Sequence, residues 1–172
     1  MNKLLEKNDP LLRKISEPVP ESEFGSAWLQ KLASDMIDIM REKCAVGVAA
    51  PQIGVNKRVI VFSTAYTQSR KIDDPIPDTV LINPSLNILS GDVQHGYEGC
   101  LNCEDLRAEV PRALEIEYSG YDLAGVFFSK RANGLEARIL QHEIDHLDGI
   151  LFIDRVVDDS TRTTAAELQS RV

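Results

Sequence analysis

Between residues 22 and 43 the apolar positions Trp28, Leu32, Met36 and Met40 recur every four residues, flanked by Leu29, Ile37 and Ile39, with charges in the gaps. That period draws one apolar stripe along a cylinder and predicts an N-terminal amphipathic helix. Further on the period changes. Residues 58–62 contain Val-Ile-Val-Phe, a short β-branched and aromatic run that predicts a strand. Residues 79–82 and 86–89 predict two short strands around an Asn83-Pro84 turn. Residues 114–118 alternate apolar and charged, as a half-buried strand does. Turn residues at 120–125 and then Val126-Phe127-Phe128 suggest its hairpin partner. Asn133 is placed to cap a second helix running to His146 or Leu147, which Gly149 would end. Before the first helix, Pro10, Pro18 and Pro20 predict an extended arm over 8–20. Cys44 to Gly54 is too small and too punctuated by Gly and Pro for a helix, and reads as an extended segment or loop making close backbone contacts. Residues 64–78 read as a polar surface loop. From about residue 160 to 172 the pattern is weakly helical with no strong apolar face, the mark of a tail that frays. The elements sum to an α+β fold with mostly antiparallel β-sheets and two main helices.

Composition changes this picture little. The chain has 172 residues, 43% hydrophobic and 27% charged, which fits one catalytic-sized domain over 1–172 with a core of its own. A net charge of −8 makes direct nucleic-acid binding unexpected. There is no apolar run long enough for a membrane span, and the N-terminal stretch lacks the apolar core of a secretory signal. Three cysteines are too few for a disulfide framework, so the expected compartment is a reducing cytoplasm.

The candidate chemistry lies in the second predicted helix, at Gln141-His142-Glu143-Ile144-Asp145-His146. Positions i and i+4 share one face of a helix, so both imidazoles can reach one metal ion and make this a central metal-binding helix. Glu143, one residue after the first ligand, can reach a water at such an ion as general base. A catalytic site wants a third protein ligand. His95 is one candidate, and the cysteines are others, Cys100 among them beside Gly99.

Three separated segments resemble the peptide deformylase family, in that family's order. Ala45-Val-Gly-Val-Ala-Ala-Pro-Gln52 resembles its Gly-Φ-Gly-Φ-Ala-Ala-x-Gln. Glu98-Gly-Cys-Leu-Asn102 resembles Glu-Gly-Cys-Leu-Ser, and Gln141 to His146 resembles Gln-His-Glu-x-x-His. Asp9-Pro10-Leu-Leu-Arg13 and Val110-Pro-Arg112 add to the likeness, which runs from about residue 9 to about 154. The resemblance implies a hydrolase that removes the N-terminal formyl group from formyl-methionine of newly made polypeptides and releases formate. It implies one divalent metal, Fe(II) in the cell with Zn, Ni or Co as substitutes, held by Cys100, His142 and His146. Metal-bound hydroxide would attack the formyl carbon, with Glu143 as general base and acid. Gln52 and the Leu101 N–H would hold the oxyanion, Val46 and Gly47 would bind substrate along their backbone, and Arg107 would help hold the peptide. Leu135 and Ile139 would line the methionine pocket, although ordinary helix core explains them equally well. Asp145 would pair with Arg112. The partners implied are nascent formylated polypeptides in a bacterial-type cytoplasm, with the ribosome as one place to meet them. The tail is not strongly basic, so no electrostatic dock on RNA is expected.

Ala45 stands where the family has Gly, and Asn102 where it has Ser. These departures flank the expected substrate groove, and raise an alternative, a non-catalytic deformylase-like metal protein that binds formyl-peptides or a partner. A zinc endopeptidase built on the same helix would need neither Cys100 nor Gln52. Cys100-Leu-Asn-Cys103 has the spacing of a redox pair but not its expected βαβ context. Cys44 and Cys103 are expected to be small buried residues.

Overall fold

The computed structural model describes residues 3–67 and 75–170. The chain forms eight strands and three α-helices among these residues. Helix α1 spans Ala27–Glu42, and Ser26 caps it, its hydroxyl accepting from the Leu29 N–H at 3.2 Å. It starts later than the sequence pattern predicts. A 3-10 turn at Glu21–Glu23 and Gly25 at φ 73° occupy the preceding residues. Trp28, placed on the apolar stripe by period, therefore sits in the first turn and is 43% exposed.

One antiparallel sheet runs in the order β1 (Gly47–Ala49), β2 (Val59–Phe62), β3 (Thr79–Ile88), β6 (Glu115–Tyr121), β7 (Phe127–Asn133). Both its faces are covered. Val59 and Val61 of β2, with Val48 and Ile82, pack on Leu29, Leu32, Met36, Ile39 and Met40 of α1. The alternate residues Ile60 and Phe62, with Leu81, Ile116 and Tyr118, pack on Ala137, Leu140, Ile144 and Leu147 of helix α2 (Gly134–Leu147). The period of two in a strand thus splits one apolar run between two helices, which is why all four residues of β2 are buried.

A second sheet has the order β4 (Val93–Glu98), β5 (Leu106–Ala113), β8 (Thr163–Thr164). Helix α2 contacts both sheets. Below it a third apolar cluster joins Leu12, Cys100, Cys103, Val110, Leu151 and Phe152. The last element among the described residues is a short helix α3 (Ala165–Gln169), capped by Thr164, directly after β8 pairs with β5.

Several sequence expectations need correction. Residues 79–88 form one strand, not two around a turn. Asn83 takes φ 50° at a bulge between Ile82 and Ser85, and its side-chain amide pairs with both backbone groups of Val19, at 2.8 Å each. Strands β4 and β5 are absent from the sequence expectations: β4 carries no apolar alternation, whereas Leu106-Arg-Ala-Glu-Val110 of β5 alternates apolar and charged as a half-buried strand does. Cys44 is exposed rather than buried. Of the expected loop at 64–78, residues 68–74 lie outside the described residues. Its ends are joined, with the Ile76 N–H donating to Thr64 Oγ1 at 2.7 Å and the Tyr66 hydroxyl to Asp78 at 2.7 Å. Of the expected tail, residues 171–172 likewise lie outside the described residues.

Gly149 follows α2 with φ 72°, and a Cβ there would stand 2.7 Å from the Arg13 carbonyl oxygen. Both the left-handed backbone and the close approach exclude a side chain. Gly149→Ala is therefore expected to lose about 2 kcal/mol or more of stability, read from urea unfolding; unchanged stability would mean that the arm around Arg13 yields freely.

Candidate metal centre

Helix α2 places His142 and His146 one turn apart, with ring centroids 5.0 Å apart and planes at 78°. Cys100, in the turn after β4, brings its Sγ to 3.4 Å from His146 Nε2. One donor atom from each of Cys100, His142 and His146 falls within 4.8 Å of the others. Ligands at ordinary bond lengths around a tetrahedral ion stand about 3.5 Å apart, so the spacing fits a small divalent ion. The donor set fits as well, with two neutral-capable imidazoles and one thiol. His146 Nδ1 is buried with no hydrogen-bond partner, and burial holds the ring's pKa well below its usual value, in the neutral form a ligand needs. His95, the other candidate third ligand, lies elsewhere. It is exposed on β4 beside Glu109, 3.7 Å away.

Glu98 at the end of β4 orients His142. One of its oxygens lies 2.9 Å from His142 Nδ1, which leaves Nε2 available to a metal ion. The same carboxylate takes two hydrogen bonds from Arg112 of β5, at 2.9 and 3.0 Å, and one from Arg138 of α2 at 2.8 Å. Burial alone would raise the Glu98 pKa, but His142 and Arg112 outweigh it and hold it at about 2. On His142 burial pulls down, and the hydrogen bond with Glu98 together with the charges of Glu143 and Glu98 outweighs it. Arg112 extends the network to Asp145 at 2.5 Å, and Arg155 closes on that carboxylate at 2.7 Å. The hydrogen bond with Cys103 and burial push the Cys100 thiol up, while the backbone N–H of Asn102 works the other way. A cation at the donors would tip that balance to the thiolate.

Glu143 is 4% exposed, and its Oε2 meets no partner among the described residues. Burial lifts its pKa to about 7, against a smaller opposing effect of His142. It stands against β1, where a Cβ on Gly47 would lie 2.4 Å from Glu143 Oε1; only glycine leaves it room. Gly99 does the same for Arg107, whose guanidinium would be 2.5 Å from a Cβ there.

A cavity of about 360 Å³ opens over these groups. It brings together Val46, Gly47, Gln52, Cys100, Leu101, Arg107, Leu135, Ile139, His142 and Glu143, residues that the sequence scatters over four segments. His146 lies behind the wall, 1% exposed. Arg138 also lines the cavity, and sequence reasoning missed both its place and its grip on Glu98; an arginine on a helix reads as solvated surface unless its buried partner is known. The left-handed residue before β1 is Cys44 at φ 51°, not Ala45, so Ala45 meets no backbone conflict.

The family model described as "Polypeptide deformylase" matches residues 1–162. The chain is 40% identical over 155 residues to a protein named peptide deformylase 2 from Pseudomonas putida, covering 90% of this chain and 87% of that one. Over 172 aligned residues it is 38% identical to a chloroplastic peptide deformylase 1A of Solanum lycopersicum, covering 95% and 62%. Among solved structures it is similar to a class I type b peptide deformylase from Acinetobacter baumannii described as Met-Ala-Ser bound. The TM-score is 0.81 with 35% identity, over 90% of this chain and 98% of the other.

Glu98→Gln removes the charge that both arginines and His142 share. It is expected to weaken metal retention about 10- to 100-fold, measured by competition with a chromogenic chelator. Retention equal to the parent protein would mean that His142 is oriented by other groups.

Proposed function

The chain belongs to the peptide deformylase family, and from that premise we propose how its residues remove the formyl group from a peptide N-terminus. The enzyme is a metal-dependent hydrolase acting on formylated nascent peptides. In our reading Cys100, His142 and His146 hold the divalent ion, with α2 as the central metal-binding helix of one catalytic domain over 1–172. Bound there, Fe(II) in the cell, or Zn, Ni or Co in its place, supplies a Lewis acid that polarises the formyl carbonyl and makes water acidic.

The chain's own groups do the rest. Glu143, buried and with a free oxygen, takes the proton from the attacking water and returns it to the leaving amine. A carboxyl with a pKa near neutrality serves both transfers. The Gln52 amide and the Leu101 N–H donate to the oxygen where negative charge develops. The backbone of Val46 and Gly47 receives the peptide as an added strand, and Arg107 holds it further along. Leu135 and Ile139, one turn apart on α2, line the cavity for the methionine side chain. The products are formate and a free N-terminal amine. We place this work in a bacterial-type cytoplasm, where nascent chains are met at the ribosome.

The observation that carries the reading is the buried, unpartnered Glu143 in one cavity with the three converging donors. A binding module has no use for such a group. Formate release from a formyl-Met-Ala-Ser peptide, run without oxygen on Fe(II)-loaded protein, tests it. Glu143→Gln should retain the metal and lose turnover by about 100-fold or more. Near-normal turnover in that variant would remove Glu143 from the mechanism. Cys100→Ser should release the metal to a chelator far more readily than the parent; equal retention would exclude Cys100 as a ligand.

A further inference from the structure

The departure at Asn102 leads to the site's oxyanion donor. Gln52 is 1% exposed and Asn102 3% exposed, so neither amide can turn to water for its hydrogen bonds. Their orientations follow from backbone groups that cannot change roles. The Ala49 N–H can only donate, and it meets Gln52 Oε1 at 2.7 Å. Gln52 Nε2 must then face the other way, and it donates to Asn102 Oδ1 at 2.8 Å. That leaves Asn102 Nδ2 facing two carbonyl oxygens, which can only accept. It donates to Leu5 at 2.8 Å and to the Gln52 backbone at 3.2 Å. The Leu5 N–H closes the loop on the same Gln52 carbonyl at 2.9 Å.

A side-chain amide nitrogen carries two hydrogens. With one Gln52 hydrogen held by Asn102, the remaining one points toward Cys100, whose Sγ lies 3.4 Å from Nε2. That is the side on which the formyl oxygen would sit in the proposed reaction. Asn102 uses one acceptor and both donors at once. A serine has a single donor hydrogen and a shorter reach, and cannot satisfy the same three partners.

We propose that Asn102 is a positioning residue for the oxyanion donor: it holds one hydrogen of the Gln52 amide so that the other is aimed into the site, and it fastens that geometry to Leu5 of the N-terminal arm. This rests on the assignment of Gln52 as oxyanion donor within the deformylase reading. Asn102 touches no substrate; it fixes in advance the direction of a group that does.

The test is a double-mutant cycle on Fe(II)-loaded enzyme with a formyl-Met-Ala-Ser peptide. Asn102→Ala should lower kcat by about 10-fold with little change in KM, because aim matters most where charge develops. In a Gln52→Ala background the same change should cost nothing further. An equal loss in both backgrounds, or no loss in the parent, would overturn the proposal. A second readout does not depend on activity. In 15N-labelled, Zn(II)-loaded protein, one Gln52 side-chain amide proton should be protected from solvent exchange, and Asn102→Ala should abolish that protection. Unaltered protection would overturn the proposal. If the alanine variant does not fold, Asn102→Leu, similar in shape but unable to accept from Gln52, runs through the same measurements with the same deciding outcomes. Absence of turnover in the parent enzyme would instead contradict the deformylase reading.

Discussion

A single buried carboxylate ties two strands of the second sheet to the second helix. Glu98 ends β4, accepts from Arg112 of β5 and Arg138 of α2, and fixes the His142 ring. Taking a carboxylate and two guanidinium groups out of water costs several kcal/mol per ion, and only a fully satisfied cluster offsets that. Glu98 and Arg112 are within 7% and 5% of complete burial, and Arg138 within 8%. Such a cluster adds little net stability over an apolar core, but it fixes register. The guanidinium fork of Arg112 reaches Glu98 and Asp145 together only when β4, β5 and α2 hold their present positions. His142 inherits that position. Cys100 inherits it too, two residues beyond Glu98.

Around this anchor the site combines parts with different needs. The donors must converge, so they sit on a rigid helix and a short turn packed against Leu12, Cys103 and Phe152. The proposed acid and base must be desolvated yet able to exchange protons. Glu143 is therefore buried without a partner, against a strand whose Gly47 leaves it space. A proposed oxyanion donor must be aimed before the charge appears, and the amide chain from Ala49 through Gln52 and Asn102 to Leu5 would do this with obligatory backbone partners. The departure from the family's serine at 102, which flanks the expected groove, joins this amide chain and under our proposal acts on the donor's support.

How much of this was legible in the sequence depended on whether the signal was local. The spacing of His142 and His146 is local to one helix, and so is the stripe of Leu32, Met36 and Met40. The alternation in residues 114–118 and the Val-Ile-Val-Phe run likewise state their elements directly. Strand β4 does not, because its polar run ends on the buried Glu98; β5 alternates over residues 106–110 but continues its inward positions with the buried, charged Arg112. Asn83 was read as a turn because Asn-Pro usually is one; its actual partner is Val19, 64 residues away. From residue chemistry alone the third metal ligand stayed open between His95 and the cysteines, and only the family resemblance selected Cys100. Geometry supplies the physical reason, since Cys100 and His146 meet at 3.4 Å while His95 faces outward beside Glu109. Contacts over long sequence separations fix Arg138 on Glu98 and Asn102 on Leu5, and no local pattern encodes those.

The central claim is that one thiolate and two imidazoles, held in place by the Glu98 cluster, bind a single ion. X-ray absorption at the metal edge of the loaded protein measures this most directly. The account predicts one sulfur and two imidazole nitrogens in the first coordination shell, at about 2.3 and 2.0–2.1 Å if the ion is zinc, with one ion per chain. A shell of nitrogen and oxygen alone, or more than one sulfur, would contradict it.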